Sequence, residues 1–73
     1  MLGDNIRRLR IERELSQQDL AEKVGVIQAA ISQIESGSVN PRYTTLLALA
    51  AALGVGLDDL AKDDSISETA QIH

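Results

Sequence analysis

Residues 15–37, LSQQDLAEKVGVIQAAISQIESG, carry two short amphipathic patterns separated by a glycine, and this commits the middle of the chain to a pair of small helices meeting at a tight turn. Ser16 stands before the first apolar-periodic run with Asp19 three residues later, a variant of the capping box that starts a helix, and Gly25 after Val24 supplies the left-handed residue that ends one. The spacing predicts a helix over about 17 to 24. Beyond the turn, Ile27, Ala30, Ile31 and Ile34 fall at i, i+3, i+4 and i+7, an apolar arc of roughly 100° directed at a core. The opposite face holds Gln28, Ala29, Ser32, Gln33 and Ser36, and Gly37 stops this second helix.

Two helices joined by about three residues, the second polar and charge-free on its outer side, make a helix-turn-helix arrangement, whose second helix can enter a DNA major groove. From about Gly3 to Leu60 the chain also resembles the phage-repressor and Cro-type (XRE) family of DNA-binding domains. The matching pieces come in order: IRRLR in a first helix, LSQQDLAEKVGV through the second helix and turn, ISQIESG in the third, NP before a fourth, and LAAALGVGLDDL at the end. The resemblance implies an all-α, compact five-helix bundle of the lambda-repressor-like type with a central helix-turn-helix and the third helix as the recognition helix. Residues 1–62 are read as this domain and 63–73 as an acidic, polar tail with only isolated apolar residues.

The flanking segments read as scaffold. Asp4 is a good N-cap for a first helix running to Glu14, with Leu2, Ile6 and Leu9 on one face and Arg10 bordering it. Asn40-Pro41 is a loop signal before a fourth helix from about Tyr43 to Leu53, in which Leu46, Leu49, Ala50 and Leu53 face inward and Tyr43 packs. Gly54 ends it. Gly56 to Leu60 opens a short fifth helix with Asp58 and Asp59 at its positive end. The resemblance implies a two-fold contact on that last helix, giving a homodimer through Leu57, Leu60 and Ala61; sealing of the bundle is the alternative role for the same residues.

The candidate base readers are Gln28, Ala29, Ser32 and Gln33. Glutamine can form a bidentate pair with adenine N6 and N7, worth about 1 to 3 kcal/mol of discrimination, serine can donate or accept, and an alanine methyl can meet the thymine methyl. No arginine or lysine lies on this face, so an A·T-containing half-site is expected rather than strong guanine readout. The candidate phosphate contacts are Gln17, Arg10, Ser36 and Arg42. Gln17 opens the second helix, where amide donors and the macrodipole suit a phosphate oxygen, and the family uses the matching glutamine in this way. The resemblance gives Arg10 a first, structural role as the partner of Glu35, tying helix one to helix three. Arg7 and Arg8 read as a solvated face in preference to phosphate contacts, and Arg42 as either a phosphate contact or a solvated side chain. Ile27 departs from the family, which usually carries serine or threonine there as a helix cap. Burial on the core arc is expected to compensate; an exposed Ile27, with Ala29 and Ala30, would instead suit a protein partner.

Charge qualifies the DNA reading without removing it. The formal net charge is −4 over 73 residues. Six cations and six anions balance in residues 1–57, so the acidity sits in residues 58–73, where Lys62 faces Asp58, Asp59, Asp63, Asp64 and Glu68. Such an acidic end opposes non-specific phosphate attraction more than groove reading. The core is aliphatic, since Tyr43 is the sole aromatic among 44% hydrophobic residues. There is no cysteine, the one histidine is His73, and neither a glycine-rich phosphate loop nor metal-ligand spacing appears, so no enzyme, metal or cofactor is expected. No run of eighteen apolar residues and no signal-peptide pattern are present, which leads to the expectation of a cytoplasmic protein with no membrane contact. The expected function is a DNA-binding transcriptional regulator, a repressor by preference, that binds a palindromic operator as a homodimer. A protein-binding adaptor or antitoxin-type module on the same fold is the alternative.

Overall fold

A computed structural model of the chain describes residues 1–61. They form five helices, α1 (Leu2–Glu12), α2 (Gln17–Val24), α3 (Gln28–Ser36), α4 (Tyr43–Leu53) and α5 (Leu57–Ala61), and no strand occurs among the described residues. The all-α, five-helix expectation holds. The acidic tail assigned to 63–73 lies outside the described residues.

The local signals for α2 are met in full. The Ser16 hydroxyl accepts from the backbone N–H of Asp19 at 2.9 Å, and the Asp19 carboxylate accepts from the backbone N–H of Ser16 at 2.9 Å. Two of the orphan donors at this end of the helix are thus satisfied. At the other end Gly25 sits at φ 88°, and its N–H and that of Val26 bond the Ala21 carbonyl at 2.8 and 3.0 Å. A residue with a Cβ would be strained in that left-handed conformation, so Gly25 sets the angle at which α3 leaves α2.

The core joins all five helices. Ile6 and Leu9 from α1, Leu20 and Ala21 from α2, Ile31 and Ile34 from α3, Leu49, Ala50 and Leu53 from α4, and Leu60 from α5 are buried. Polar links fasten the ends. Asn5 donates from Nδ2 to the Leu60 carbonyl at 3.0 Å, holding α5 against α1, and Arg13 donates from Nε to the Leu53 carbonyl, holding the end of α4 against the end of α1. No helix among the described residues is long and apolar enough to cross a membrane.

Four expectations are corrected or narrowed. First, α1 starts at Leu2 and ends at Glu12, so Asp4 lies in the first turn rather than at the cap, and Met1 takes the cap position with no side-chain bond. The reason is Gly3, which is buried in α1 against the end of α3: a Cβ there would lie 2.5 Å from the Glu35 carbonyl oxygen and 2.6 Å from that of Ile34. Close packing between two helices outweighs the cap preference of Asp4. Second, of the two roles open to Leu60, an intersubunit contact or sealing of the bundle, its 0% exposure within one chain matches the sealing role. Leu57 is half-buried against the core and Ala61 is exposed. Third, Tyr43 does not pack inward; it is 64% exposed at the start of α4. Fourth, Ile27 is exposed rather than buried on the core arc.

Gly3→Ala should therefore lower stability by about 1 to 3 kcal/mol, the usual cost of overpacking a tight contact, read as a drop in the thermal midpoint. Glu14, just past α1, occupies the left-handed region at φ 57°. Its replacement by glycine removes that strain and should raise the midpoint by an amount equivalent to about 1 kcal/mol or less, because the added freedom of the unfolded chain offsets part of the gain.

Candidate nucleic-acid interface

The α3 helix is held by its inner face and leaves its outer face to solvent. Ile31 and Ile34 enter the core, and Gln28, Ala29, Ser32, Gln33 and Ser36 are all exposed. The single charge in the helix, Glu35, is turned inward, with its side chain only 4% exposed. What α3 shows outward is two amides, two hydroxyls and a methyl, without formal charge.

Glu35 is kept inward by a bidentate contact with Arg10. Nε of Arg10 lies 2.7 Å from Oε2 of Glu35 and Nη2 lies 3.2 Å from Oε1, while Nη1 donates to the Leu15 carbonyl at 2.8 Å. The arginine thereby ties α1, the entry to α2 and α3 together. The Glu35 carboxylate also accepts from Nε2 of Gln17 at 3.1 Å, and Oε1 of Gln17 in turn accepts from Nε2 of Gln28 at 3.5 Å. A chain of polar contacts thus leads from the buried pair out to the first residue of α3. A planar guanidinium, with five N–H donors fixed on three nitrogens, suits this junction, whereas a lysine ammonium could not make the same fork.

Of the other predicted contacts, Gln17 is half-buried, with one amide hydrogen committed to Glu35. Arg10 has its side chain 12% exposed and its nitrogens engaged by protein acceptors, which leaves little for a phosphate. Ser36 donates to the Gln33 carbonyl at 3.0 Å and shares a hydroxyl contact with Ser38 at 2.8 Å. Arg42 is exposed at the N-cap position of α4 and makes no ion pair among the described residues.

Arg7, read from the sequence as a solvated face in preference to a phosphate contact, is exposed beside α3. It lines a shallow depression with Gln17, Ser32, Glu35 and Ser36, and it too has no ion pair among the described residues. Arg8, by contrast, pairs with Glu12 at 3.2 Å on an exposed face. The signal that separates the two arginines was available: Arg7 precedes Arg10 by three residues and so shares its side of α1.

Ile27 overturns the expectation of burial, being 73% exposed. It occupies the N-cap of α3 with φ −82° and ψ 156°, and no side chain caps the helix. An extended residue lies outside the helical repeat, so the i, i+3, i+4 arc that predicted its burial does not reach it. The absent cap forgoes about 0.5 to 2 kcal/mol.

Two predictions follow from the scaffold. Glu35→Gln leaves the Arg10 guanidinium buried without its counter-ion and should cost about 3 to 5 kcal/mol in denaturant unfolding, although the intact pair need contribute little net stability. The second concerns acid. The backbone N–H of Ser16, its hydroxyl and the charge of Lys23 hold the Asp19 carboxyl below the ordinary carboxylate range. A carboxyl depressed in the folded state stabilises above its unfolded pKa, and that contribution disappears as pH falls from about 4 through the lowered value. Asp19→Asn should therefore flatten this part of the acid limb in a plot of unfolding free energy against pH.

A helix-turn-helix family model matches residues 6–60. An uncharacterized HTH-type transcriptional regulator, YqaE, of Bacillus subtilis is 37% identical over 65 residues, covering 89% of this chain and 56% of the relative. The immunity repressor of Bacillus phage phi105 is 33% identical over 70 residues, covering 96% of this chain and 49% of the relative. The chain thus spans about half the length of these curated relatives. Among solved structures, the phage P22 c2 repressor in complex with a synthetic operator matches with a TM-score of 0.79 and 38% identity, over 82% of this chain and 91% of that one.

Proposed function

The chain belongs to the helix-turn-helix family of the XRE, phage-repressor type, and from that premise we propose that it is a sequence-specific DNA-binding regulator of transcription. The single observation that carries the reading is the charge-free, hydrogen-bonding outer face of α3, held by its inner face and by the buried Arg10–Glu35 pair. A helix whose amides and hydroxyls meet base edges without a competing charge discriminates by hydrogen-bond pattern rather than by attraction to phosphate. The phage P22 relative, solved with an operator, supports the same use of the fold.

In this reading α3 lies in the major groove. Gln28 and Gln33 pair with adenines, Ser32 donates or accepts at a neighbouring base, and the Ala29 methyl meets a thymine methyl. Gln17, through its remaining amide hydrogen, with Ser36 and Arg42 contacts the sugar-phosphate backbone, and Arg7 joins them from α1 beside Ser32 and Ser36. Arg10 acts as a positioning residue that sets α3 rather than as a phosphate ligand. Two copies bind a palindromic operator whose half-sites lie about one helical turn apart, with Leu57 and Ala61 of α5 as the residues left for the two-fold contact. Occupation of a promoter then represses transcription.

The exposed Ile27 favours a second reading, an adaptor that presents this end of α3 to a protein. Salt dependence separates the two, because phosphate contacts release counterions and an apolar protein contact does not.

Gln28→Ala combined with Gln33→Ala should abolish specific binding to the preferred duplex while moving the unfolding midpoint by no more than about 0.5 kcal/mol, as expected for exposed side chains. Unchanged binding by that double variant would remove these glutamines from the reading face.

A further inference from the structure

An open groove runs along α1 on the side turned from the core, lined by Asp4, Asn5, Arg7, Arg8, Ile11 and Glu12. Its surface is mainly carbon, and Ile11 is 53% exposed at its far end. Followed from the first turn of α1, the groove is negative at Asp4, positive at Arg7 and Arg8, and apolar at Ile11. Arg8 keeps its side chain 55% exposed despite its pair with Glu12, and Arg7 has no ion pair among the described residues. The helix α5 ends at the start of this groove, because the Leu60 carbonyl accepts from Nδ2 of Asn5 at 3.0 Å and Ala61 follows, exposed. From there the chain continues with Lys62, Asp63, Asp64, Ser65 and Ile66. That order is positive, negative, apolar, the complement of the groove read in the same direction.

We propose that this groove is a docking seat for residues 62–66 of the same chain, with Lys62 beside Asp4, Asp63 and Asp64 on Arg7 and Arg8, and Ile66 over Ile11. The lengths agree. Asp4 to Ile11 spans about 10 Å of helix at about 1.5 Å per residue, and residues 62 to 66 reach about 13 Å when extended at about 3.3 Å per residue. Covering Ile11 removes an exposed aliphatic side chain from water, which adds an apolar term to the ionic ones. Arg7 gives the docking a consequence, since it lines both this groove and the depression beside Ser32 and Ser36 of α3. A carboxylate of the docked segment on Arg7 competes with a phosphate arriving at α3. The docking stands on the groove and the charge order alone; the competition rests on the DNA-binding reading.

The chain has no cysteine, so Ser67→Cys carries a single nitroxide label on the full chain, and its paramagnetic broadening of the Ile11 methyl signals reads the docking. The Ala51 methyl, in a depression with Lys23 that no α1 residue lines, serves as the control and should stay sharp. Reversing the segment's charge with Asp63→Lys and Asp64→Lys should cut the broadening at Ile11 about two- to tenfold, as the loss of two exposed ion pairs implies, and adding Arg7→Glu and Arg8→Glu should restore it. Equal broadening in the wild type and the charge-reversed chain describes a segment merely tethered nearby and overturns the docking. Should the reversed chains fail to fold, Ile66→Ser supplies the same comparison. Broadening of an isotope-labelled chain by a separate nitroxide-labelled one gives the groove to a second copy and overturns it too. Adding a generic duplex at low salt should then release the segment and sharpen Ile11. Broadening that persists in the bound chain overturns the competition and leaves the docking and the DNA-binding reading in place. A chain that binds no duplex overturns that reading, and the competition with it, while the docking stands.

Discussion

The fork between Arg10 and Glu35 decides how three helices stand relative to one another, and the presentation of α3 follows from it. Both side chains are withdrawn from water, at 12% and 4% exposure, so each depends on the other and on the surrounding acceptors and donors for the solvation it has lost. The Leu15 carbonyl and the Gln17 amide complete that set, and no buried side-chain nitrogen or oxygen among the described residues is left without a partner. Such a junction contributes less to total stability than to uniqueness. A hydrophobic replacement can pack as tightly, but it would fix neither the rotation of α3 nor the placement of Gln17 beside Gln28. Gly3 makes the same arrangement closer, since the absence of a side chain there lets α1 meet the carbonyls at the end of α3.

A reading face without formal charge has an electrostatic consequence. The cations of the described residues are distributed around it rather than on it: Arg7 borders the depression beside Ser32 and Ser36, Arg42 follows the helix, and Arg10 is neutralised by Glu35. With the formal charges of residues 1–57 in balance and an acidic end beyond them, the proposed reading expects weak long-range attraction to a generic duplex. On the proposed reading, affinity would then depend more on short-range contacts at the groove floor, where hydrogen-bond geometry and methyl groups distinguish one sequence from another.

The parts of the fold that were legible in the sequence are those set by local chemistry. The capping box of Ser16 and Asp19 and the glycine stops at 25, 37 and 54 stand where their residue types put them, and the inward residues of α2 and α4 follow the helical period. The Arg10–Glu35 pair was expected from family resemblance, and its fork geometry and its link to Gln17 emerge only from the folded chain. What escaped was set by tertiary packing. Gly3 carries no side chain to announce its contact, so the start of α1 was misplaced. Ile27 fits a helical arc on paper but lies one residue before the helix, with backbone angles that take it off the arc. Leu60 serves the core of a single chain, which a pattern of apolar residues on a short terminal helix cannot distinguish from an intersubunit contact. Arg7 and Arg8 read alike in the sequence, and only the fold shows that Arg8 pairs with Glu12 while Arg7 lines the depression beside α3.

The central claim, that α3 is a base-reading helix carried on a buried ionic junction, is tested most directly by selecting bound duplexes from a random library with the full chain and titrating the preferred duplex with salt. The account predicts a palindromic, A·T-containing consensus with half-sites about one turn apart, whose affinity falls linearly with salt on a double-logarithmic plot. Absence of any enriched sequence at low salt, where weak phosphate binding is strongest, would contradict it.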